Sequence, residues 1–309
     1  MPRLARAQGA AGWPGDRVTI VTSLPAGSSV DITTRVFAER LAVLWNRPVV
    51  VDNRGGANGV IACQIVARAK PDGLTLLATS AMTHAANPAL LERLPYDPVA
   101  DFAAITRFGS SPFAVMAYKG LGTTTLTALT ARLRAEPGRH NYGWGAVPAH
   151  VASALYCNLI EAEVPAVGYR GNQAGFPDLI NGRLSFMSID VVGAKPLIDR
   201  GEVDALALTA PERHPALPGV PSCVEAGLPE LHFTTWSGLY APKATPPEII
   251  ARVHRDYVTV FEMPEVRARL QAMGSAMERL AAPEEFQAFT ISEIAAWGRI
   301  IRQARIRID

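Results

Sequence analysis

The chain has 309 residues, 49% of them hydrophobic and 19% charged, so it can bury a large core and fits two domains or one large one. The formal net charge is only +2 and no basic tract is interleaved with aromatic residues, which argues against nucleic acid as a partner. Cys63, Cys157 and Cys223 form no C-x-x-C pair, which argues against a metal cluster or a full disulfide framework. One disulfide plus a free thiol stays open, but the prediction is three small buried apolar side chains.

Residues 1–16 are expected to be the remnant of a signal segment or a disordered stretch. Arg3 and Arg6 precede a run of small residues that is similar to the end of a secretory signal, but no apolar segment comes before that run. Two interpretations stay open: a cytoplasmic chain, or a chain whose signal segment is truncated in this sequence. No stretch of the sequence is long and apolar enough to span a bilayer.

Strand and helix patterns alternate along the first third of the chain. The predicted elements are a strand at residues 18–22, a helix at 32–44, a strand at 48–51, a helix at 60–69 and a strand at 74–79. This βαβαβ pattern implies a parallel sheet with right-handed crossovers. Ligands of such sheets bind beyond the carboxyl ends of the strands, so the turns after the first and third strands are expected at the binding edge.

The middle of the chain repeats the α/β pattern, and the last third is mostly helical. The predicted strands are 141–143, 166–169, 184–189 and 205–209, and the predicted helices are 125–134, 150–160, 172–181, 191–199, 247–261, 264–273 and 283–302. Trp144, Tyr169, Arg170 and Asp190 come just after or at the ends of predicted strands, which places them at the binding edge too. Aromatic residues at helical spacing in the last helix predict a core stripe rather than a cofactor site.

The turn at residues 24–31, with the sequence LPAGSSVD, lies between the first strand and the first helix. A strand, a tight Gly/Ser turn and a helix together direct unpaired backbone N–H groups and the positive end of the helix dipole at one point. Such a point holds a carboxylate or a phosphate. Ser28 and Asp31 fit a capping box, with Ser28 as the N-cap and Asp31 reaching back to its amide. The alternative is a turn that only caps its helix.

Sequence motifs for several enzyme classes are absent. No G-x-G-x-x-G follows a strand, and the chain has no P-loop, no G-x-S-x-G elbow and no H-E-x-x-H. A triad of Ser28, His150 and Asp190 can be drawn, but the spacing of the three residues gives no support for it. His150 at the start of a helix is more simply explained as a capping residue or a polar wall. No catalytic residue, cofactor or metal ligand is predicted.

Several short strings occur in an order typical of one family. They are residues 24–31 (LPAGSSVD), 51–59 (VDNRGGANG), 70–73 (KPDG), 87–90 (NPAL), 94–99 (LPYDPV), 101–102 (DF), 169–171 (YRG), 217–222 (LPGVPS), 225–229 (EAGLP), 236–242 (WSGLYAP) and 297–298 (WG). From about Trp13 to the C-terminus, the chain resembles the periplasmic solute receptors of tripartite tricarboxylate transporters, also called the Bordetella uptake gene (Bug) family.

The resemblance implies an α/β, two-lobe, periplasmic-binding-protein-like (type II) fold with a cleft between the lobes. Lobe one would comprise residues 17–119 and 237–309, and lobe two residues 120–236. The implied function is a monomeric, non-enzymatic, periplasmic receptor that closes on a small carboxylate (a dicarboxylate, an amino acid or an aromatic acid). The implied partners are the organic acid and the membrane permease subunits of the transporter. A co-receptor for a two-component sensor, binding the same acid, is the alternative.

The resemblance also implies a set of ligand-binding residues. They are Leu24, Pro25, Ala26, Gly27, Ser28, Ser29, Asp31, Ser80, Ala81, Trp144, Gly145, Ala146, His150, Tyr169 and Asp190. In the family the first turn holds a ligand carboxylate through backbone amides and bound waters, which agrees with the prediction that residues 24–31 bind an anion. Asp190 matches a position that meets a ligand amino group in some members, so it favours an amino acid over a plain dicarboxylate.

The chain departs from the family pattern at the binding edge. Ser28 stands where a second Gly is usual, Trp144 where a small residue is typical, and Arg170 where Lys is common. The stretch between Tyr142 and His150 is about two residues shorter than usual. The identity of the ligand therefore does not transfer from the family.

Overall fold

The computed structural model describes residues 12–275, 277–304 and 306, so most of the predicted signal remnant lies outside the described residues. The strands are β1 (Val18–Thr22), β2 (Val49–Asn53), β3 (Thr75–Ser80), β4 (Phe102–Ala117), β5 (Tyr142–Trp144), β6 (Ala166–Gly168), β7 (Phe186–Asp190), β8 (Asp204–Leu208) and β9 (Thr234–Pro242). The helices are α1 (Ser29–Trp45), α2 (Val60–Ala67), α3 (Asn87–Leu90), α4 (Leu126–Ala135), α5 (Val147–Leu159), α6 (Asn172–Ile180), α7 (Val191–Asp199), α8 (Pro247–Phe261), α9 (Pro264–Ala272) and α10 (Pro283–Gln303). None of the described helices is long and apolar enough to cross a membrane.

The predicted βαβαβ unit is confirmed. β1 pairs in parallel with β2 on one side and with β3 on the other. The boundaries of the seven predicted strands agree with the structure to within two residues, and those of β1, α7 and α8 agree fully, whereas β4 and β9 have no predicted counterpart. α5 begins at Val147, three residues before its predicted start, because Pro148 occupies the first turn, where its missing N–H costs no hydrogen bond.

β4 is the strand that joins the two halves of the molecule. Its first part, from Phe102 to Pro112, pairs antiparallel with β9, which in turn pairs with β3. Its last part, from Phe113 to Ala117, pairs antiparallel with β7 and β8. β7 also pairs in parallel with β5, which pairs in parallel with β6. The first sheet therefore contains β2, β1, β3, β9 and the first part of β4, and the second sheet contains the last part of β4 with β7, β8, β5 and β6. Thr234 at the start of β9 lies opposite Pro112, so the chain leaves the first sheet and returns to it at paired positions.

The C-terminal helices supply the core residues that the sequence predicts. The buried side of α8 includes Val253 and Tyr257, and the Tyr257 ring stacks on Phe37 of α1 with centroids 4.9 Å apart. Phe286 and Trp297 of α10 are buried, with the Phe286 ring edge-on to Trp236 of β9 and the Trp297 ring edge-on to Phe233, which precedes β9. The predicted aromatic stripe of the last helix is therefore part of the core.

All three cysteines are free and buried, as predicted, so no disulfide joins any two of them. Burial raises the pKa of the Cys63 and Cys157 thiols to about 12 and also raises the pKa of Cys223. Because the thiolate is the reactive form, we expect none of the three thiols to react with a disulfide reagent in the native protein at pH 8, and all three to react in denaturant. Rapid reaction of any thiol before unfolding would contradict this expectation.

Candidate functional site

A small cavity lies between the two sheets, at the carboxyl ends of β1, β3 and β7. Its volume is about 40 Å³, which is room for a few water-sized groups. Seven of the predicted binding residues line it: Leu24, Pro25, Ser28, Ser29, Ser80, Ala146 and Asp190. The lining residues that the sequence did not single out are Val30, Phe113, Pro148, Ala149, Gly171, Asn172, Gln173, Ile189, Gly193, Thr235 and Ser237. The predicted turn therefore faces a wall contributed by both halves.

An open groove of about 700 Å³ adjoins this cavity. Four other predicted residues line it: Ala26, Trp144, Gly145 and Tyr169. Leu24, Pro25 and Gly171 line both spaces. The remaining predicted residues, Gly27, Asp31, Ala81 and His150, line neither space. Asp31, Ala81 and His150 are buried behind the walls, whereas Gly27 is exposed.

Four helices begin at the small cavity. α1 starts after Ser28, α5 after Ala146, α6 after Gly171 and α7 after Asp190, and each of these preceding positions lines the cavity. Side chains cap α1 and α7, whereas α5 and α6 have no side-chain cap. Helix N-termini carry unpaired N–H groups and partial positive charge, so their convergence makes the cavity favourable for an anion.

The turn before α1 is held differently from a capping box. Ser28 is the N-cap as predicted, and its Oγ accepts from the Asp31 N–H at 3.3 Å. The prediction that Asp31 reaches back to the Ser28 amide is wrong, because the Asp31 Oδ2 accepts from the Gly27 N–H at 2.8 Å and the Ser28 N–H donates to Pro25 O. The φ of +80° at Gly27 allows this tighter turn. Within the described part of the chain, nothing accepts from the Ser29 N–H.

Asp31 organises the turn from behind. Its Oδ1 accepts from Arg35 Nε and from Asn53 Nδ2, each at 2.9 Å, and Asn53 Nδ2 also reaches Thr22 Oγ1 at 2.7 Å. Burial alone would raise the pKa of Asp31, but the hydrogen bonds from Arg35, Gly27 and Asn53 outweigh it and the pKa is lowered. The carboxylate is therefore ionised and ties α1 to the ends of β1 and β2.

Asp190 is the one ionisable side chain among the described residues that line the small cavity. It ends β7 and caps α7, with its Oδ1 accepting from the Gly193 N–H at 3.1 Å. Burial raises the pKa of this carboxyl, although hydrogen bonds from Gly193 and from the Ser29 side chain act in the opposite direction. Without a cationic neighbour on the cavity wall, Asp190 presents an acceptor whose charge is only partly compensated.

Trp144 is the aromatic residue of the groove wall that stacks on the buried His150. Their rings stack with centroids 4.5 Å apart and planes at 15°, and His150 Nδ1 lies 3.1 Å from Tyr142 Oη. His150 thus supports Trp144 from behind and makes no hydrogen bond to Ser28. Since the Ser28 hydroxyl and the Asp190 carboxyl are also engaged with backbone amides, the three residues do not form a triad.

We expect His150 to shape the acid limb of the stability profile. Burial lowers the pKa of its imidazole to about 4, whereas the unfolded chain restores a value of about 6.5. The contribution of His150 to the free energy of unfolding is therefore complete above pH 6.5. It falls by up to about 1.4 kcal/mol per pH unit as the pH decreases towards 4. Urea unfolding of the wild type and His150→Gln should give slopes against pH that differ by up to one proton near pH 5 and agree at pH 8. Equal slopes near pH 5 would contradict this assignment.

The fold and the cavity define a class of protein: an α/β binding protein whose two halves face each other across a ligand-sized cleft. The chain matches the family model described as "Tripartite tricarboxylate transporter family receptor" over residues 33–306. It belongs to that family, as the sequence strings predict. The family consists of solute-binding receptors and not of enzymes.

Individual relatives agree with this assignment. The "UPF0065 protein in tcbD-tcbE intergenic region" of Pseudomonas sp. (strain P51) is 31% identical over 307 residues, covering 98% of this chain and 91% of that protein. "Protein BugT" of Bordetella pertussis is 28% identical over 299 residues, covering 96% of this chain and 91% of that protein.

Two solved structures from Rhodopseudomonas palustris share the fold along almost the whole chain. Rpa4515, described with adipate, is 29% identical with a TM-score of 0.91, covering 96% of this chain and 99% of that one. MatC (Rpa3494), described with bound malate, is 28% identical with a TM-score of 0.87, covering 94% of this chain and 100% of that one. The periplasmic-binding-protein-like fold predicted from the sequence is thereby confirmed.

Within the described residues, no group of three or more His, Cys, Asp or Glu side chains is arranged to hold a metal ion. The site is therefore described by its helix N-termini, its hydroxyl groups and the single carboxyl of Asp190.

Proposed function

We propose that the protein is a periplasmic receptor that captures a small organic acid for a tripartite tricarboxylate transporter. The observation that carries the proposal is the convergence of four helix N-termini on one cavity. A carboxylate placed there meets several N–H donors at once, and the surrounding helix dipoles stabilise its charge without a lysine or an arginine.

The carboxylate is proposed to lie against the first turn of α1 and the uncapped starts of α5 and α6. The Ser29 and Val30 amides belong to the first turn of α1, where N–H groups have no partner inside the helix. The hydroxyls of Ser80 and Ser237 also line the cavity and can hold bridging waters, which cost little affinity and let one site accept related acids.

The other end of the ligand is proposed to face Asp190. A second carboxylate beside this residue would meet a like charge in a buried place, whereas an ammonium group would compensate it. The neighbours described with adipate and malate hold acids without a cationic group. For this chain we propose an acid that carries an amino group, such as an amino acid, ahead of a plain dicarboxylate.

Capture is proposed to proceed by closure of two lobes. Lobe one comprises residues 17–119 and 237–309 and lobe two residues 120–236, with the crossings made by β4 and by the segment that enters β9. A ligand that touches both lobes binds the closed form better and so shifts the population towards it. The closed form is then proposed to be recognised, as a monomer in the periplasm, by the membrane permease subunits.

The test is mass spectrometry of small molecules released from the purified protein, followed by a thermal-shift screen. The probes are succinate, malate, adipate, benzoate, aspartate and glutamate. A ligand that binds only the folded state at 100 times its Kd adds about 2.7 kcal/mol of stability, which a melting curve resolves. A released or stabilising carboxylate supports the receptor function, and a preference for aspartate or glutamate supports the role of Asp190. The absence of any carboxylate in both experiments would contradict the proposal.

A further inference from the structure

One side chain of α6 reaches across the cleft to the turn before α1. Gln173, the second residue of α6, donates from Nε2 to the Gly27 carbonyl oxygen at 2.8 Å. The Gly27 N–H is at the same time donated to Asp31 Oδ2, also at 2.8 Å. Gly27 is therefore held on its N–H by its own half of the molecule and on its carbonyl by the other half.

A second contact joins Gly171, two residues before Gln173, to Pro25, two residues before Gly27. Gly171 has a φ of +100°, and a Cβ built on it would come within 3.0 Å of Pro25 Cγ. Only a glycine lets the backbone lie this close to the proline ring without displacing it. We call the two contacts, Gly171 with Pro25 and Gln173 with Gly27, the cross-cleft clamp.

We propose that Gln173 is a positioning residue of the receptor, whose amide holds the Gly27 carbonyl in the closed form and so fixes the turn that presents the Ser29 and Val30 N–H groups. The inference rests on the proposed function in one respect, the closure of the two lobes. The clamp joins residues from opposite sides of the cleft, so it can form only when the two sides meet. Its free energy therefore favours the closed form whichever acid is bound.

The size of the effect follows from a single hydrogen bond between partly exposed groups. Such a bond changes an equilibrium by about 2- to 10-fold. Since the contact forms after the ligand has entered, the change is expected in the dissociation rate of the ligand and not in its association rate. Alanine at position 173 removes the donor, and glutamate replaces it with a carboxylate that repels the Gly27 carbonyl oxygen.

The experiment compares the wild type with Gln173→Ala, Gln173→Glu and a matched control, Asn181→Ala. Asn181 lies at the end of the same helix, and its amide donates to Pro177 O within that helix. Spin labels on Lys70→Cys and Glu163→Cys, one in each proposed lobe, report the open and closed populations of the full chain. Dissociation rates are measured with adipate, malate and aspartate as probes, and hydrogen exchange is followed at residues 27–30.

Both Gln173 variants are expected to lower the closed population or raise the dissociation rate by about 2- to 10-fold. Association rates should stay unchanged, exchange at residues 27–30 should be faster, and Asn181→Ala should match the wild type. Gln173 variants that match the wild type in every readout would overturn the inference, as would a wild type with no closed population under any condition. If the variants bind carboxylates as the wild type does, the receptor function is supported and the role of the clamp is rejected. If the closed population depends on Gln173 but no acid binds, the role of the clamp is supported and the receptor function is rejected.

Discussion

Replacing Asp190 by Asn should weaken the binding of an amino-group-bearing acid by at least about 30-fold, because an ammonium group would lose its only charged partner in a buried cavity. Breaking one side of a buried charge pair costs about 2 kcal/mol or more. Asparagine is the appropriate substitute, since it is also a good N-cap and its side-chain oxygen can still accept from the Gly193 N–H in the first turn of α7. Isothermal titration with aspartate and succinate would measure the change, with succinate binding equal or tighter in the variant.

The matched control for this substitution is Asp199→Asn. Asp199 ends the same helix, and its carboxylate is bonded to Lys195 at the surface, away from the cavity. This control should bind both acids as the wild type does. A variant at position 190 that loses aspartate and succinate equally would show that the residue supports the fold of the site and does not select the charge of the ligand.

The pH dependence gives the same substitution a second readout. Burial raises the pKa of Asp190, so the free native protein disfavours the ionised carboxyl. Stability contributed by this group is present at low pH and is lost as the pH rises through the raised pKa. Asp190→Asn should therefore melt at a higher temperature than the wild type at pH 7, and the difference should shrink as the pH falls. In the wild type, the affinity for an amino-group-bearing acid should fall over the same range as the carboxyl becomes protonated.

Local sequence patterns were sufficient for the unit from β1 to β3 and for most of the helices. In these segments the apolar spacing, the turn residues and the burial all agree. β4 was not predicted, because Gly109, Ser110 and Pro112 in its centre are typical of a turn, and register shifts interrupt its pairing with β9. β9 was not predicted either, because it is held by long-range pairing with β3 and β4. No local pattern encodes that partnership.

The binding edge was predictable only in part, for a similar reason. The Gly/Ser turn has a signature, since Ser28 caps a helix and Gly27 allows a positive φ. The residues that precede α5 and α6 are Ala146 and Gly171, which carry no capping side chain, so the usual sequence signal of a helix start is missing at both. Gln173 and Thr235 reach the cavity because strands and helices distant in sequence converge there.

Gly145→Ala should impair both stability and ligand binding, although it adds a single methyl group. A Cβ on Gly145 would overlap the carbonyl carbon and oxygen of Gly171 and the backbone nitrogen of Asn172. Backbone atoms cannot rotate away as a side chain can, so the start of α6 must move. The Gly145 N–H also donates to Asn172 Oδ1 at 2.9 Å, and this bond would stretch or break. Overpacking of this kind costs about 3 kcal/mol, which lowers the melting temperature of a chain of this length by about 5 °C.

Movement of the start of α6 in Gly145→Ala would also change the shape of the cavity. Gly145 lies just before α5 and touches the start of α6, so it sets the distance between the two uncapped helix N-termini that face the cavity. Moving one of them outwards weakens its field at the carboxylate and opens the contact between Gly171 and Pro25. We expect the Kd of a bound acid to rise at least about 10-fold, since misplacing a preorganised donor shell is costly. Gly219→Ala is the matched control, because a Cβ there meets no atom within 4 Å. If Gly145→Ala melts and binds as Gly219→Ala does, the close approach of α5 and α6 is not what shapes the cavity.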